Sequence, residues 1–204
     1  MDEVNAVRQL TTRDGSIYLF QHIALRFGGE VVGDAFALKN NKTLSETLGH
    51  HRYRAFANEA AQFSTFMEMP LGEFLLSLKI DGNPLYKRFL NKHGDKSYSV
   101  FAIDNTVACK QKGVYAYFVD ADLRYIGRCR DTMKQRINQG YGRIHPKNCY
   151  IDGQSTNCHL NAKITEAGNS VSLWFCPLVS DDKIIIVEAE LIRKYQPEWN
   201  IHRF

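Results

Sequence analysis

The 204-residue chain has no long hydrophobic run, no C-x-x-C pair, no internal repeat and no low-complexity segment, and each absence excludes something. Its densest apolar stretch, Ile184 to Val187, is bounded by Lys183 and Glu188 and falls far short of the ~18 apolar residues that cross a bilayer. The opening Met1-Asp2-Glu3-Val4-Asn5 lacks the basic and apolar runs of a secretory signal. Five cysteines are too sparse for a disulfide scaffold, so free thiols and a reducing cytoplasm are expected. With 44% apolar and 24% charged residues, neither disorder nor a collagen-like chain fits. The length suffices for one core or two small domains.

Charge is unevenly placed. The net charge is +4, yet residues 1 to 108 carry 12 basic and 12 acidic side chains, so the whole excess lies beyond them. Between Arg124 and Lys147 stand Arg124, Arg128, Arg130, Lys134, Arg136, Arg143 and Lys147 against a single acid, Asp131. Solvated helix faces usually mix signs, so this run points to a polyanion partner, phosphate first.

The texture of the chain suggests a boundary near residue 108. Before it the sequence reads as mostly helical: Ile17 to Phe27 and His51 to Phe66 have helical apolar spacing, Pro70 precedes Leu71, Phe74, Leu75 and Leu78 on one face, and Pro84 to His93 ends at Gly94. Tyr98 to Ile103 reads as a strand. Residues 109 to 204 predict a compact α+β domain of order β-β-α-α-β-α: a hairpin of Val114 to Val119 and Leu123 to Ile126, a helix capped by Asp131 and ending at Gly140, and a polar loop follow in turn. The order closes with a helix from about Asn157 to Ala167, a strand from Val171 to Leu178, and a helix from Asp182 to Tyr195.

Two tripeptides sit on the predicted hairpin, Gly113-Val114-Tyr115 and Tyr125-Ile126-Gly127. An arginine follows on the next helix, in Met133-Lys134-Gln135-Arg136-Ile137. A late helix carries Glu188-Ala189-Glu190-Leu191-Ile192-Arg193-Lys194-Tyr195-Gln196-Pro197-Glu198-Trp199-Asn200. In these motifs, over about residues 110 to 202, the sequence resembles the GIY-YIG nuclease family. Arg136 stands one residue later than the family's usual spacing, which an insertion within Cys129 to Thr132 would absorb; Arg130 and Arg143 are the alternatives.

Chemistry gives these residue types a common purpose. Phosphodiester hydrolysis needs an activated water, stabilised non-bridging oxygens and help for the departing 3′ oxygen. A lone carboxylate such as Glu188 suits one Mg²⁺ or Mn²⁺ ion whose remaining ligands are waters and phosphate oxygens. Arg136 offers the phosphate a planar fork of donors. Tyr115 and Tyr125 are placed to hold the water, one of them accepting its proton if nearby cations lower its pKa from about 10. The resemblance implies these same roles. It also implies an α+β domain with a three-stranded antiparallel sheet flanked by helices, a site-bracing role for Asn200, and a Tyr or His about one turn beyond the arginine, for which Tyr141 and His145 compete.

Further phosphate contacts are expected from Arg128, Arg130, Lys134, Arg143 and Lys147, and from Ser155, Asn157 and Lys163 at the second helix. Glu190, two residues from Glu188, reads as solvated, and Trp199 as core. Cys149 and Cys158 are too far apart in sequence for a common zinc ligand pair. The leading expectation is a restriction-modification endonuclease, a hydrolase cutting double-stranded DNA as a homodimer, because the nuclease motifs lie in the second half of a short chain. Residues 1 to 108 would then serve DNA recognition, dimerisation or both. The alternatives are a repair, recombination or phage-type nuclease that reads DNA structure or single strands, and a catalytically silent nucleic-acid-binding module.

Overall fold

The computed structural model describes residues 6–201, a mixed α+β protein. Three strands come first: β1 (Val7–Thr11), β2 (Ile17–Ile23) and β3 (Arg26–Val32). Short helices follow, α1 (Leu44–Leu48), α2 (Ala57–Ala60), α3 (Leu71–Ile80) and α4 (Tyr86–Phe89), then β4 (Tyr98–Ala102). The remainder is β5 (Gly113–Val119), β6 (Asp122–Cys129), α5 (Met133–Arg136), α6 (Ser155–Ala167), β7 (Val171–Pro177) and α7 (Asp181–Tyr195). No helix among the described residues is long and apolar enough to cross a membrane.

The chain divides into two compact units, and neither follows the boundary expected at residue 108. The first gathers the residues up to Gly28, Phe101–Arg143 and the residues from Glu166 onward; the second gathers Gly29–Val100 and Ile144–Thr165. The expectation of a helical segment over Ile17 to Phe27 is also corrected: these residues form β2 and the start of β3. A short apolar run satisfies both the helical and the strand period, and here the aromatic and β-branched composition and the pairing of Phe20 with Arg8 decide for the strand. His51 to Phe66 is a series of short turns with Phe63 off helical geometry, and Pro84 to His93 keeps helix only over α4.

In the first unit the expected three-stranded sheet has five strands, in the order β1-β2-β7-β5-β6, every pair antiparallel. One face carries Leu10, Phe20, Val114, Ala116, Phe118, Ile126 and Trp174, and α7 covers it with Ile184, Val187, Leu191 and Ile192. Those helical residues are spaced i, i+3, i+7 and i+8, which makes one apolar stripe. Ser180 accepts from the Lys183 N–H to start α7, Asp181 and Asp182 occupy its first turn, and Arg193 and Lys194 its last, each charge opposite to the nearer end of the helix dipole. The opposite sheet face carries Tyr115, Tyr117 and Tyr125.

The second unit has its own core, where α1, α3 and α4 bury Leu44, Leu48, Leu71, Phe74, Leu75, Leu78 and Phe89 with Tyr98, Tyr150 and Cys158. Asn161, fully buried on α6, accepts from the Ser99 N–H at 3.1 Å and donates to the Ser99 carbonyl at 2.9 Å. One amide thus answers both backbone groups of one residue at depth, where leaving either unmade costs about 1–3 kcal/mol.

Candidate active site

The β5–β6 register explains why the two tripeptides belong together. Tyr115 lies opposite Gly127, and Tyr117 opposite Tyr125, so alternation of side chains puts all three tyrosines and Gly127 on one face. The Tyr115 and Tyr125 ring centres are 6.0 Å apart. Gly127 is required by that closeness: a Cβ there would lie 2.7 Å from the Tyr115 hydroxyl oxygen and 2.6 Å from Cε1 of Tyr125. Because Tyr115 is fully buried its ring cannot retreat. Gly127→Ala is therefore expected to cost about 1–3 kcal/mol of stability, the range for overpacking, read as a lower Tm in thermal denaturation; an unchanged Tm would contradict this packing.

Arg136 reaches the cluster from α5. Its Nε donates to the Tyr115 hydroxyl at 2.9 Å, and its guanidinium lies 5.4 Å from the centre of the Tyr141 ring. Thr132, not the expected Asp131, caps this helix, in a capping box with Gln135. The helix then widens over Ile137–Tyr141 and breaks at Gly140, which delivers Tyr141 back to the tyrosines. Tyr141 stacks on Tyr115 with ring centres 6.3 Å apart and exchanges a 2.8 Å hydrogen bond with Tyr117. Of the two candidates beyond the arginine, Tyr141 lies in this cluster. His145 belongs to the second unit, where its Nδ1 accepts from the Lys147 N–H and caps the turn Pro146–Cys149.

Glu188 sits at the edge of the apolar stripe of α7, its side chain only 13% exposed. Oε2 accepts from Arg128 Nη1 at 2.5 Å. β6 is the terminal strand of the sheet, and around its edge the Glu188 carboxylate is close enough to act electrostatically on both Tyr125 and Arg136. Asn200 braces this strand: its amide accepts from the Ile126 N–H at 3.0 Å and donates to the Ile126 carbonyl at 2.8 Å. Asn138 does the same for Ile103 at 2.9 Å both ways, two residues after Arg136. Neither Asn138 nor Tyr117 is signalled by motif, although the alternation in Gly113 to Tyr117 places Tyr117 on the tyrosine face.

Burial sets the protonation states. It pushes Tyr115, Tyr125 and Tyr141 above the ordinary phenol range, and the opposing pull of Arg136 does not overcome it. The expected lowering of a tyrosine pKa by neighbouring cations is thus not met, and at neutral pH these are neutral phenols. Burial likewise raises Glu188, against the opposing pull of Arg128 and Arg136.

A carboxyl whose folded pKa exceeds its unfolded one favours folding in its protonated form, so this contribution is present below the unfolded pKa and lost as pH rises through the folded pKa. Glu188→Gln, which mimics the neutral form, is accordingly expected to raise Tm at pH 7 and to lose that advantage as the solution is acidified through the raised folded value toward the unfolded one. A Tm gain that instead grew on acidification would contradict this sign.

The basic run is less uniform in space than in sequence. Arg124 pairs with Glu198 and Asp122, and Arg128 with Glu188, so acids outside the run, two of them distant in sequence, supply the missing sign. Arg130, Lys134 and Arg143 are exposed on the first unit, while Lys147, Ser155, Asn157 and Lys163 belong to the second. Asn157 is buried and donates to Gln154 Oε1 at 2.7 Å, which corrects its reading as a backbone contact. Glu190, read as solvated, is partly buried and pairs with Arg193. Trp199 is buried as expected. Cys149 and Cys158 lie 4.0 Å apart as free, buried thiols. No cluster of three or more metal-ligating side chains occurs among the described residues.

No family model, no curated protein and no solved structure matches the chain.

Proposed function

We propose that the protein is a metal-dependent DNA endonuclease of the GIY-YIG type, a hydrolase of phosphodiester bonds, and that it is a restriction-type enzyme acting on double-stranded DNA. The observation that carries the reading is the convergence of Tyr115, Tyr125, Arg136 and Glu188 from two strands and two helices of one unit. Packing alone does not call for a guanidinium on a buried phenol within electrostatic reach of a desolvated carboxylate; phosphoryl chemistry does.

In this proposal Arg136, held in direction by Tyr115 and the Tyr141 ring, presents its remaining donors to the non-bridging oxygens of the scissile phosphate. The neutral phenols of Tyr115 and Tyr125 orient the attacking water, with Tyr141 extending the hydrogen-bonding row; one of the first two serves as base only after giving its own proton to solvent, and as phenolate it then takes the water's proton and returns to the phenol. Glu188 offers a single carboxylate, which fits one Mg²⁺ or Mn²⁺ ion completed by waters and phosphate oxygens. Such an ion supplies Lewis-acid stabilisation of charge at the departing 3′ oxygen. Arg128 neutralises Glu188 and, once a phosphate competes for it, becomes a backbone contact with Arg130, Lys134 and Arg143.

A single such site breaks one strand at a time, and a twofold sequence is best met by a twofold protein. The proposed homodimer uses the N-terminal part of the chain, where Val7, Ile17 and Leu19 leave apolar surface exposed on the β1–β2 hairpin. Mixing wild type with excess Glu188→Ala should convert linear plasmid product into nicked circles. Unchanged linear product, with subunit exchange verified, contradicts the dimer. The function itself is tested by incubating the protein and Mg²⁺ with a mixed-sequence plasmid and a single-stranded circle and sequencing the ends. Discrete plasmid fragments are expected; random nicks or single-strand cutting would favour the structure-directed reading, and binding without any cutting the silent module.

A further inference from the structure

The second unit holds a cavity of about 490 Å³ that the nuclease chemistry does not use. Two chain segments line it. Leu38 to Lys42 leads from a helical turn into α1, and His145 to Lys147 opens the turn before Cys149, with Asp152 beside it. Lys39, Lys42 and Lys147 therefore converge on one space with a single acid.

That acid is largely engaged. Asp152 Oδ1 accepts from the Tyr53 hydroxyl at 2.5 Å, and its Oδ2 is 3.7 Å from the Lys147 ammonium, a long and loose pair. Lys39 rests 4.9 Å over the Tyr150 ring, and its pKa is lowered first by burial and further by Lys42 and Lys147, with Asp152 pulling the other way. Crowded ammonium groups around a cavity gain from an anion placed among them. The rest of the lining speaks to what accompanies that anion. Asn40 and Asn41 are also among the lining residues, each amide carrying donors and an acceptor, and Leu38 and Pro146 add apolar surface.

The volume falls within the ~300–1,000 Å³ of small-molecule sites and far exceeds the ~30 Å³ share of one water, so a bare phosphate would leave most of it unfilled. Amides that read the edge of a base, apolar surface against its face and lysines for its phosphate form a matched set. We infer that this cavity binds a phosphorylated nucleoside, its phosphate held among Lys39, Lys42 and Lys147 and its base against Asn40, Asn41, Leu38 and Pro146.

The ligand has two sources, a free mononucleotide or one nucleotide of a strand. The inference does not rest on the nuclease reading, because binding is measured in chelator, where no strand is cut. Isothermal titration of the full chain with deoxyadenosine monophosphate, with inorganic phosphate and with a single-stranded hexanucleotide separates the cases. The expected result is that one or both nucleotide probes bind more tightly than phosphate, with the Lys42→Gln/Lys147→Gln double variant losing at least about tenfold in affinity, the scale of a lost charged hydrogen bond. Lys96→Gln, an exposed lysine not among the cavity-lining residues, should bind as wild type.

Mononucleotide binding equal to that of the strand identifies the free nucleotide; strand binding alone, still sensitive to the double variant, identifies the nucleic acid. Thermal denaturation checks that the variant is folded, and if it is not, Lys42→Gln alone carries the test. Nucleotide binding that is absent, unaffected by the variants or no tighter than phosphate overturns the inference.

Discussion

Glu188→Ala is expected to abolish Mg²⁺-dependent DNA cleavage, by at least about 10³-fold, while leaving DNA binding within a few-fold. The magnitude follows from the several kcal/mol that a bound metal contributes to charge stabilisation, at ~1.36 kcal/mol per tenfold in rate. Binding survives because the substitution removes a carboxylate, not a phosphate donor, and frees Arg128 from its ion pair. The cut and binding readouts, taken together, separate this from unfolding: a collapsed variant loses both. Retained cleavage would place the metal elsewhere.

Arg136→Ala should slow cleavage by about 10²–10³-fold, the range for a lost transition-state donor in a preorganised site. Its effect has a second origin, since the same guanidinium holds the Tyr115 hydroxyl and lies over Tyr141. Arg136→Lys should recover little, because an ammonium cannot keep the Tyr115 bond and present a planar fork to phosphate at once. Arg130→Ala and Arg143→Ala alter exposed side chains and should weaken binding modestly without this loss in rate. Were either of them to show the larger defect, the assignment of Arg136 across the displaced spacing after Gly127 would be wrong.

The parts of the fold that were legible in the sequence are those fixed by local pattern. The β5–β6 hairpin announces itself through β-branched and aromatic residues around a polar turn, and α7 through its apolar stripe, capping serine and charge order. The N-terminal hairpin was not legible. Ile17 to Phe27 suits either period, and the pairing that settles β2, Gln21 to Ile23 against Leu173 to Phe175, joins residues some 150 positions apart.

The same limit explains the expected boundary. Composition changes near residue 108, but the compact units are discontinuous and exchange segments at Gly28, Val100, Arg143 and Thr165.

At the candidate site, motif spacing brought out Tyr115, Tyr125, Arg136 and Glu188, while Asn138 escaped because its partner Ile103 is remote in sequence. Arg128 looked like an open phosphate contact for a similar reason: the acid that pairs with it lies sixty residues away. His145 and Asn157 were drawn toward the site by residue type and position along the chain, whereas local capping and burial already account for them.

The central claim, hydrolysis of DNA at the tyrosine–arginine–glutamate site, is tested most directly by cleaving plasmid DNA in ¹⁸O-labelled water with Mg²⁺ and analysing the ends by mass spectrometry. Attack of water on phosphorus with departure of the 3′ oxygen predicts one ¹⁸O in each new 5′-phosphate, unlabelled 3′-hydroxyls, and no product from Glu188→Ala or in chelator. Absence of cleavage by wild-type protein with Mg²⁺ or Mn²⁺, or unlabelled 5′ ends, would contradict the account.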